Sequence, residues 1–127
     1  MKEFLLYSKE TENKIRWDTF IEEVKFELYI PKWRIPDNPP DQIKCYFDFS
    51  NNLSIGKRLS KSEAIKDPEL KKLPIISKII KHSDKTKTIR FDPDGNKDEW
   101  EIGSPYIPIS IIPNGDTESA IIKVEWV

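Results

Sequence analysis

The chain has 127 residues, of which 37% are hydrophobic and 34% charged, and its net charge is only −1. This length fits one domain with a core that needs no disulfide or metal, and this composition excludes a disordered or fibrous protein. The single cysteine, Cys45, excludes an internal disulfide, and no apolar run approaches membrane-spanning length. We therefore expect one soluble, cytoplasmic domain over residues 1–127 with no membrane association.

The first third of the chain predicts β-strands. Glu3–Ser8 indicates a short strand, and a second contains Ile15 and Trp17 before a bend at Asp18–Thr19. In Val24–Ile30, every second residue is apolar. Because successive side chains of a strand point to opposite faces, this pattern is typical of a half-buried strand.

Gln42–Phe49 alternates in the same way, with Ile43, Cys45, Phe47 and Phe49 on the inward side. A proline-rich connection joins it to Val24–Ile30, and proline cannot donate to a sheet. We expect these two strands to be neighbours in the sheet.

A helical insertion is expected around residues 60–82. Ser60 and Glu63 have the spacing of a capping box, and Pro68 can occupy a first helical position. His82 would then lie at a helix C-terminus, where the helix dipole attracts a cation. Within the insertion, residues 73–80 fit either a helix interrupted by Pro74 or an isoleucine-rich strand.

The last third predicts strands again. Thr86–Phe91 and Glu99–Ile102 flank the turn-forming run Asp92–Asp98 and predict a hairpin. An apolar run, Tyr106–Ile112, and a final strand, Ser119–Val127, follow. Together, these patterns predict a β-dominated α+β fold, with seven or eight mostly antiparallel strands in a sandwich or partly open barrel.

The run Asp92–Asp98 could hold a hard cation, because oxygen-bearing side chains occupy alternate positions, namely Asp92, Asp94, Asn96 and Asp98. Gly95, however, stands fourth in this run, whereas an EF-hand loop has its glycine at the sixth position. The same residues form turns without any metal. We expect an exposed hairpin loop with no bound metal.

Aromatic and basic residues cluster around one tryptophan. The candidate ligand-binding residues are Trp33, Lys32, Arg34, Tyr29, Tyr46, Lys71 and Lys72. Aromatic rings flanked by cations are how open barrels hold single-stranded nucleic acid, although a tryptophan between prolines also packs over a sheet end. The segment 57–87 adds ten basic residues against four acidic ones, whereas the chain from Asp92 onward carries eight acidic residues against two basic ones.

The sequence favours a binding protein over an enzyme. His82 is the only histidine, Cys45 falls in an inward row, and no carboxylate pair or phosphate-binding loop is apparent. No cofactor is expected. The leading hypothesis is an interaction domain that binds a protein partner or self-associates, because sheet edges readily add a partner strand. The alternative is a nucleic-acid-binding module that uses Trp33, Tyr29, Tyr46 and the basic segment 57–87.

Overall fold

A single antiparallel sheet of eight strands forms the protein, as seen in a computed structural model that describes all 127 residues. The strands are β1 (Lys2–Glu10), β2 (Lys14–Ile21), β3 (Val24–Pro31), β4 (Gln42–Asp48), β5 (Ile75–Asp84), β6 (Thr88–Pro93), β7 (Tyr106–Pro108) and β8 (Ser119–Trp126). Their order across the sheet is β3-β2-β1-β4-β8-β5-β6-β7. The predicted β-dominated character and the number of strands are confirmed.

The sheet curls until its two edge strands nearly meet. Strands β3 and β7 lie close together, and the Gly103 N–H donates to the Tyr29 carbonyl at 2.8 Å. The result is a nearly closed barrel, the second of the two predicted arrangements. Strand β7 has three residues and β3 has eight, so β7 lies beside only part of the β3 edge. Where the two edges approach each other, no partner strand can be added, which weakens the edge-addition mechanism expected from the sequence.

The inward-facing residues fill the barrel with one hydrophobic core. Trp17, Phe26 and Cys45 are fully buried in it. Phe26 and Phe47 pack edge to face with ring centroids 5.3 Å apart, a favoured aromatic geometry. The buried Trp17 indole N–H donates to the Pro40 carbonyl at 3.0 Å, so the largest core side chain leaves no polar group unpaired.

The helical content is smaller than predicted. One helix, α1 (Lys61–Lys66), is followed by a 3₁₀ turn over Pro68–Lys72. The capping box is confirmed: Ser60 Oγ accepts from the Glu63 N–H at 3.2 Å, and the Glu63 carboxylate accepts from the Ser60 N–H at 3.2 Å. Beyond Lys72 the expected helix is wrong, and the α+β description holds only loosely.

Residues 75–84 form strand β5, so the alternative strand interpretation of residues 73–80 is correct. Pro74 prevents a helix from continuing. Along β5, Ile75, Ser77 and Ile79 are buried, whereas the residues between them are more exposed. His82 consequently lies in a strand, and its predicted position at a helix C-terminus is wrong.

Three predicted connections differ from the structure. Strand β3 lies at the edge and is separated from β4 by β2 and β1, so these two strands are not neighbours. The hairpin predicted around Asp92–Asp98 is also wrong, because β6 pairs with β7 and Glu99–Ile102 forms no strand. The bend predicted at Asp18–Thr19 comes later, at Glu22–Glu23, where both residues have positive φ (47° and 69°). That is the geometry of a tight hairpin turn, formed here without the usual asparagine or glycine.

A buried ion pair joins segments that lie far apart in sequence. Arg34 and Glu101 are 1% and 5% exposed, and Nε of Arg34 donates to the Glu101 carboxylate. The Arg34 guanidinium also donates to the carbonyls of Lys71 (2.8 Å), Leu73 (2.8 Å) and Pro74 (3.2 Å). One side chain thus ties the segment after β3 to the start of β5 and to the loop before β7.

We predict that Arg34→Met destabilises the protein by about 3–5 kcal/mol, because it leaves the Glu101 charge buried without a partner. The measurement is urea unfolding followed by circular dichroism. The matched control is Lys72→Met, which breaks an exposed pair with Glu69 and should cost less than about 1 kcal/mol. The double variant Arg34→Met/Glu101→Leu should be more stable than Arg34→Met alone. If Arg34→Met and Arg34→Met/Glu101→Leu lost the same free energy of unfolding, this explanation would be wrong.

Candidate functional site

Three large apolar side chains lie together on the outside of the barrel. Phe4 and Leu6 alternate on the outer face of β1, and Leu6 stands opposite Asp18 of β2. Extending that register by two residues places Phe4 opposite Phe20. The exposed fractions are 46% for Phe4, 58% for Leu6 and 66% for Phe20. We call these three residues the outer-face patch.

The outer-face patch is bordered by charges of both signs in two rows. In the phenylalanine row, Phe20 pairs with Lys25 and Phe4 with Lys44, so a lysine stands at each end. The adjacent row contains Leu6 and two carboxylates, those of Asp18 and Glu27, on neighbouring strands. The surface is therefore apolar in the middle, with lysines at the ends of one row and carboxylates in the other. Arg16 of the same chain lies 3.2 Å from Asp18 and 3.5 Å from Glu27, so the two carboxylates are partly paired within the chain.

A second surface is a cleft of about 500 Å³ at the end of the barrel where the 3₁₀ turn Lys32–Arg34 follows β3. Two half-buried indoles, Trp33 and Trp100, line it. The other lining residues are Glu12, Asn13, Lys14, Pro31, Lys32, Lys61, Lys97, Asp98, Ile102 and Gly103. We call this surface the tryptophan cleft.

The four lysines of the tryptophan cleft come from four separate segments. Lys32 lies 2.8 Å from a Glu10 carboxylate oxygen, and its hydrogen bond and charge hold the pKa of Glu10 below the ordinary value. Lys14, Lys61 and Lys97 have no carboxylate oxygen within 4.0 Å. The cleft also contains the carboxylates of Glu12 and Asp98, so its four lysines, counted against these two and Glu10, leave an excess of one positive charge.

Of the candidate ligand-binding residues, the structure brings Lys32 and Trp33 together in the tryptophan cleft. Lys71 lies beside Lys32 at a neighbouring depression. Lys72 is exposed and pairs with Glu69 at 2.9 Å. Arg34 is buried with its donors committed to protein acceptors, so its role is structural.

Neither candidate tyrosine lines the cleft, although Tyr29 contacts the lining residue Gly103, and the two tyrosines lie apart from each other. Tyr29 is on β3 and Tyr46 on β4, three strands away and thus about 14 Å across the sheet. The Tyr29 hydroxyl accepts from Arg16 at 3.3 Å, and Lys44 lies over the Tyr46 ring at 5.4 Å. The structure does not join Trp33, Tyr29 and Tyr46 into one aromatic face.

Sequence reasoning missed both surfaces in part. Trp100, Lys14 and Lys97 were not singled out, because only the fold places these separate segments beside Trp33. The outer-face patch did leave a signal in the sequence: Phe4, Leu5 and Leu6 are consecutive apolar residues. Because successive side chains of a strand point to opposite faces, a run of three apolar residues places at least one of them on the solvent-exposed face.

The lone cysteine and the lone histidine are poorly placed for catalysis. Cys45 is fully buried, and burial raises the pKa of its thiol, so the reactive thiolate is suppressed at neutral pH. His82 is exposed and has Ser83 as its side-chain partner, at 3.0 Å from Nδ1. No carboxylate orients its ring, as a catalytic triad requires.

The acidic run Asp92–Asp98 uses its oxygens in local contacts. Asp92 accepts from Ser104 (2.7 Å) and Arg90 (3.0 Å), and Asn96 accepts from the Asp98 N–H (3.0 Å). The Arg58 guanidinium donates to the Asp94 carbonyl and covers Gly95, where an added Cβ would displace the end of the arginine side chain. No group of three or more His, Cys, Asp or Glu residues is placed to hold a metal ion.

No helix of the structure is both long and apolar enough to cross a membrane. Comparison with protein-family models, with curated proteins and with solved structures gave no significant match.

We predict that Ca²⁺ up to 1 mM leaves the melting temperature unchanged. A ligand raises the melting temperature only if it binds the native state, and no group of acidic residues is placed to bind Ca²⁺ here. Thermal melting with and without Ca²⁺ is the measurement, with Asp94→Ala as the matched variant. A rise in melting temperature that Asp94→Ala abolishes would establish a calcium site at this turn.

Asp92 should contribute to stability in a pH-dependent manner. Burial opposes its ionisation, but hydrogen bonds from Ser104 and Arg90, with the Arg90 charge, hold its pKa below the ordinary value. Because the native pKa is depressed, the stabilisation is present above the unfolded-state pKa of about 3.9 and is lost as pH falls through the native pKa.

We therefore predict that Asp92→Asn costs about 1 kcal/mol at pH 7 and that the difference from wild type disappears in acid. Urea unfolding between pH 2.5 and pH 7 measures it. Asp94→Asn, at an exposed carboxylate with no side-chain hydrogen bond, should leave stability within about 0.5 kcal/mol at every pH. A cost for Asp92→Asn that did not change with pH would refute the assignment.

Proposed function

We propose that the protein is a non-catalytic protein-interaction domain, and that a second copy of the chain binds the outer-face patch. The observation that carries this proposal is the contiguity of Phe4, Leu6 and Phe20, all strongly exposed on an otherwise polar face. Scattered exposed apolar residues are normal, but a contiguous apolar patch with a polar rim is typical of an interaction site.

The charges around the patch support a second copy as the partner. A half-turn about an axis running across the strands, between the two rows, sets the basic row of one copy against the acidic row of the other. Lys25 of each copy then approaches Glu27 of the other, and Phe4 approaches Leu6. Phe20 approaches Asp18, whose charge is paired with Arg16 of its own copy at 3.2 Å. Self-complementarity of this kind is what a two-fold interface requires.

The alternative function, nucleic-acid binding, is supported by fewer residues than the sequence predicted. Tyr29 and Tyr46 lie apart, and Arg34 is buried, so the aromatic-basic face expected from the sequence is not continuous. Lys32 and Trp33 remain together at the tryptophan cleft. We infer a cytoplasmic location from the single cysteine, which suits a reducing compartment.

The test is sedimentation velocity between 5 and 500 µM. We expect the dimer fraction to rise with concentration, and Phe4→Thr, which keeps a residue type that favours strands, to weaken dimerisation at least tenfold, because burying a phenylalanine contributes about 1.5–3 kcal/mol. The matched control is Ile65→Thr, which changes an exposed isoleucine of α1 outside the patch and should leave dimerisation unchanged. A monomer at every concentration, or equal effects of the two variants, would reject the patch as a self-association surface.

A further inference from the structure

We propose that the tryptophan cleft is a binding site for a nucleotide unit, a planar base that carries phosphate. The site is distinct from the outer-face patch and independent of the function proposed for it. Three features support the proposal: the way the two indoles are held, the unneutralised lysines around them, and the size of the cleft.

The buried ion pair holds the backbone next to both indoles. Trp33 immediately precedes Arg34, and Trp100 immediately precedes Glu101, so the two partners of the ion pair are each adjacent to a cleft tryptophan. Arg34 and Glu101 are buried, whereas Trp33 and Trp100 remain partly exposed in the cleft. The backbone that carries the two aromatic side chains is thus held by one interaction, which lowers the entropy cost of stacking a ligand between or against them.

The indoles differ in the donors they offer. The Trp100 N–H donates to the Gly95 carbonyl at 3.1 Å, and Lys97 lies 6.0 Å from the centre of the Trp100 ring. The Trp33 N–H donates to no protein acceptor, in contrast to Trp17, Trp100 and Trp126. Trp33 therefore combines a π-face with a free hydrogen-bond donor, both of which a base or its substituents can use.

The lysines supply the complement to phosphate. Lys14, Lys61 and Lys97 reach the cleft without a carboxylate partner, and the lining contains four lysines against Glu12 and Asp98. Bringing like charges together in a concave site is unfavourable, and an anionic ligand relieves that repulsion. A bare anion would use the lysines alone, whereas a phosphate attached to a planar ring uses the indoles as well.

The dimensions fit a ligand of this class. A cleft of about 500 Å³ lies within the range of small-molecule sites, about 300–1,000 Å³. A duplex cannot present its bases to the cleft, because they are stacked within the helix. The ligand is therefore a free nucleotide or one unit of a single strand, which share the same chemistry.

The test measures binding at 25 mM and 150 mM salt with four probes. AMP and UMP, titrated by calorimetry, represent free nucleotides, and a fluorescein-labelled 15-nucleotide poly-U, followed by anisotropy, represents the single strand. A 15-base-pair duplex and inorganic phosphate are the controls. We expect binding of at least one nucleotide probe, weakened by salt, and much weaker binding of the duplex and of phosphate.

Variants separate stacking from charge. Trp33→Ala should weaken binding about tenfold, with Trp33→Phe, which keeps a ring and fills more of the space, intermediate. Lys14→Gln and Lys61→Gln should each reduce the slope of log affinity against log salt by about one. The matched controls are Lys78→Gln, at an exposed lysine outside the cleft, and Phe20→Ala, at an exposed aromatic residue of the outer-face patch. Both should leave nucleotide binding unchanged.

Each remaining outcome overturns the proposal. Equal binding of duplex and single strand, insensitive to both Trp33 variants, would mean a general polyanion surface. Binding of phosphate as tight as that of AMP would mean an anion site that does not recognise a base. No binding of any nucleotide probe at 25 mM salt would mean that the cleft has no such ligand.

If Trp33→Ala does not fold, Trp33→Phe and the lysine variants decide among these outcomes. Loss of dimerisation without loss of nucleotide binding, or the reverse, shows which of the two proposals fails.

Discussion

The ion pair between Arg34 and Glu101 is the interaction on which the arrangement of this protein depends. It is buried, and three further carbonyl acceptors occupy the guanidinium. Charges taken out of water are costly unless their hydrogen bonds are satisfied, and here one arginine satisfies acceptors from segments distant in sequence. Without it, the segment after β3, the start of β5 and the loop before β7 would have no shared anchor.

The same ion pair relates the fold to the tryptophan cleft. Its location next to the β3–β7 seam explains how a barrel closed by a single backbone hydrogen bond, from Gly103 to Tyr29, can still hold its edges together. The residues that precede the two partners, Trp33 and Trp100, line the cleft. A fixed scaffold that carries partly exposed aromatic rings is what a binding site needs, because side chains that are already ordered lose less entropy when a ligand binds.

The sequence predicted an interaction site at a sheet edge, whereas the site proposed from the structure lies on the outer face of the nearly closed barrel. The sequence suggested that an edge strand would accept a partner strand, but β7 lies beside part of the β3 edge. The exposed apolar residues lie instead on the outer face of β1 and β2, where side chains rather than backbone groups would make the contact. The two surfaces offer different contacts to a ligand. The outer-face patch offers apolar contacts, and the tryptophan cleft offers charged and aromatic contacts.

The sequence by itself determined the β-rich class, the approximate strand number, the inward rows of β3 and β4 and the capping box at Ser60, because these depend on local side-chain periodicity and hydrogen bonding. It left residues 73–80 open, since isoleucine-rich runs fit both a buried helix and a strand until the pairing partner is known. Strand order, the burial of Arg34 and the convergence of Trp33, Trp100 and Lys14 were decided only by the tertiary structure. Each of these depends on contacts between residues distant in the chain, which no local pattern encodes.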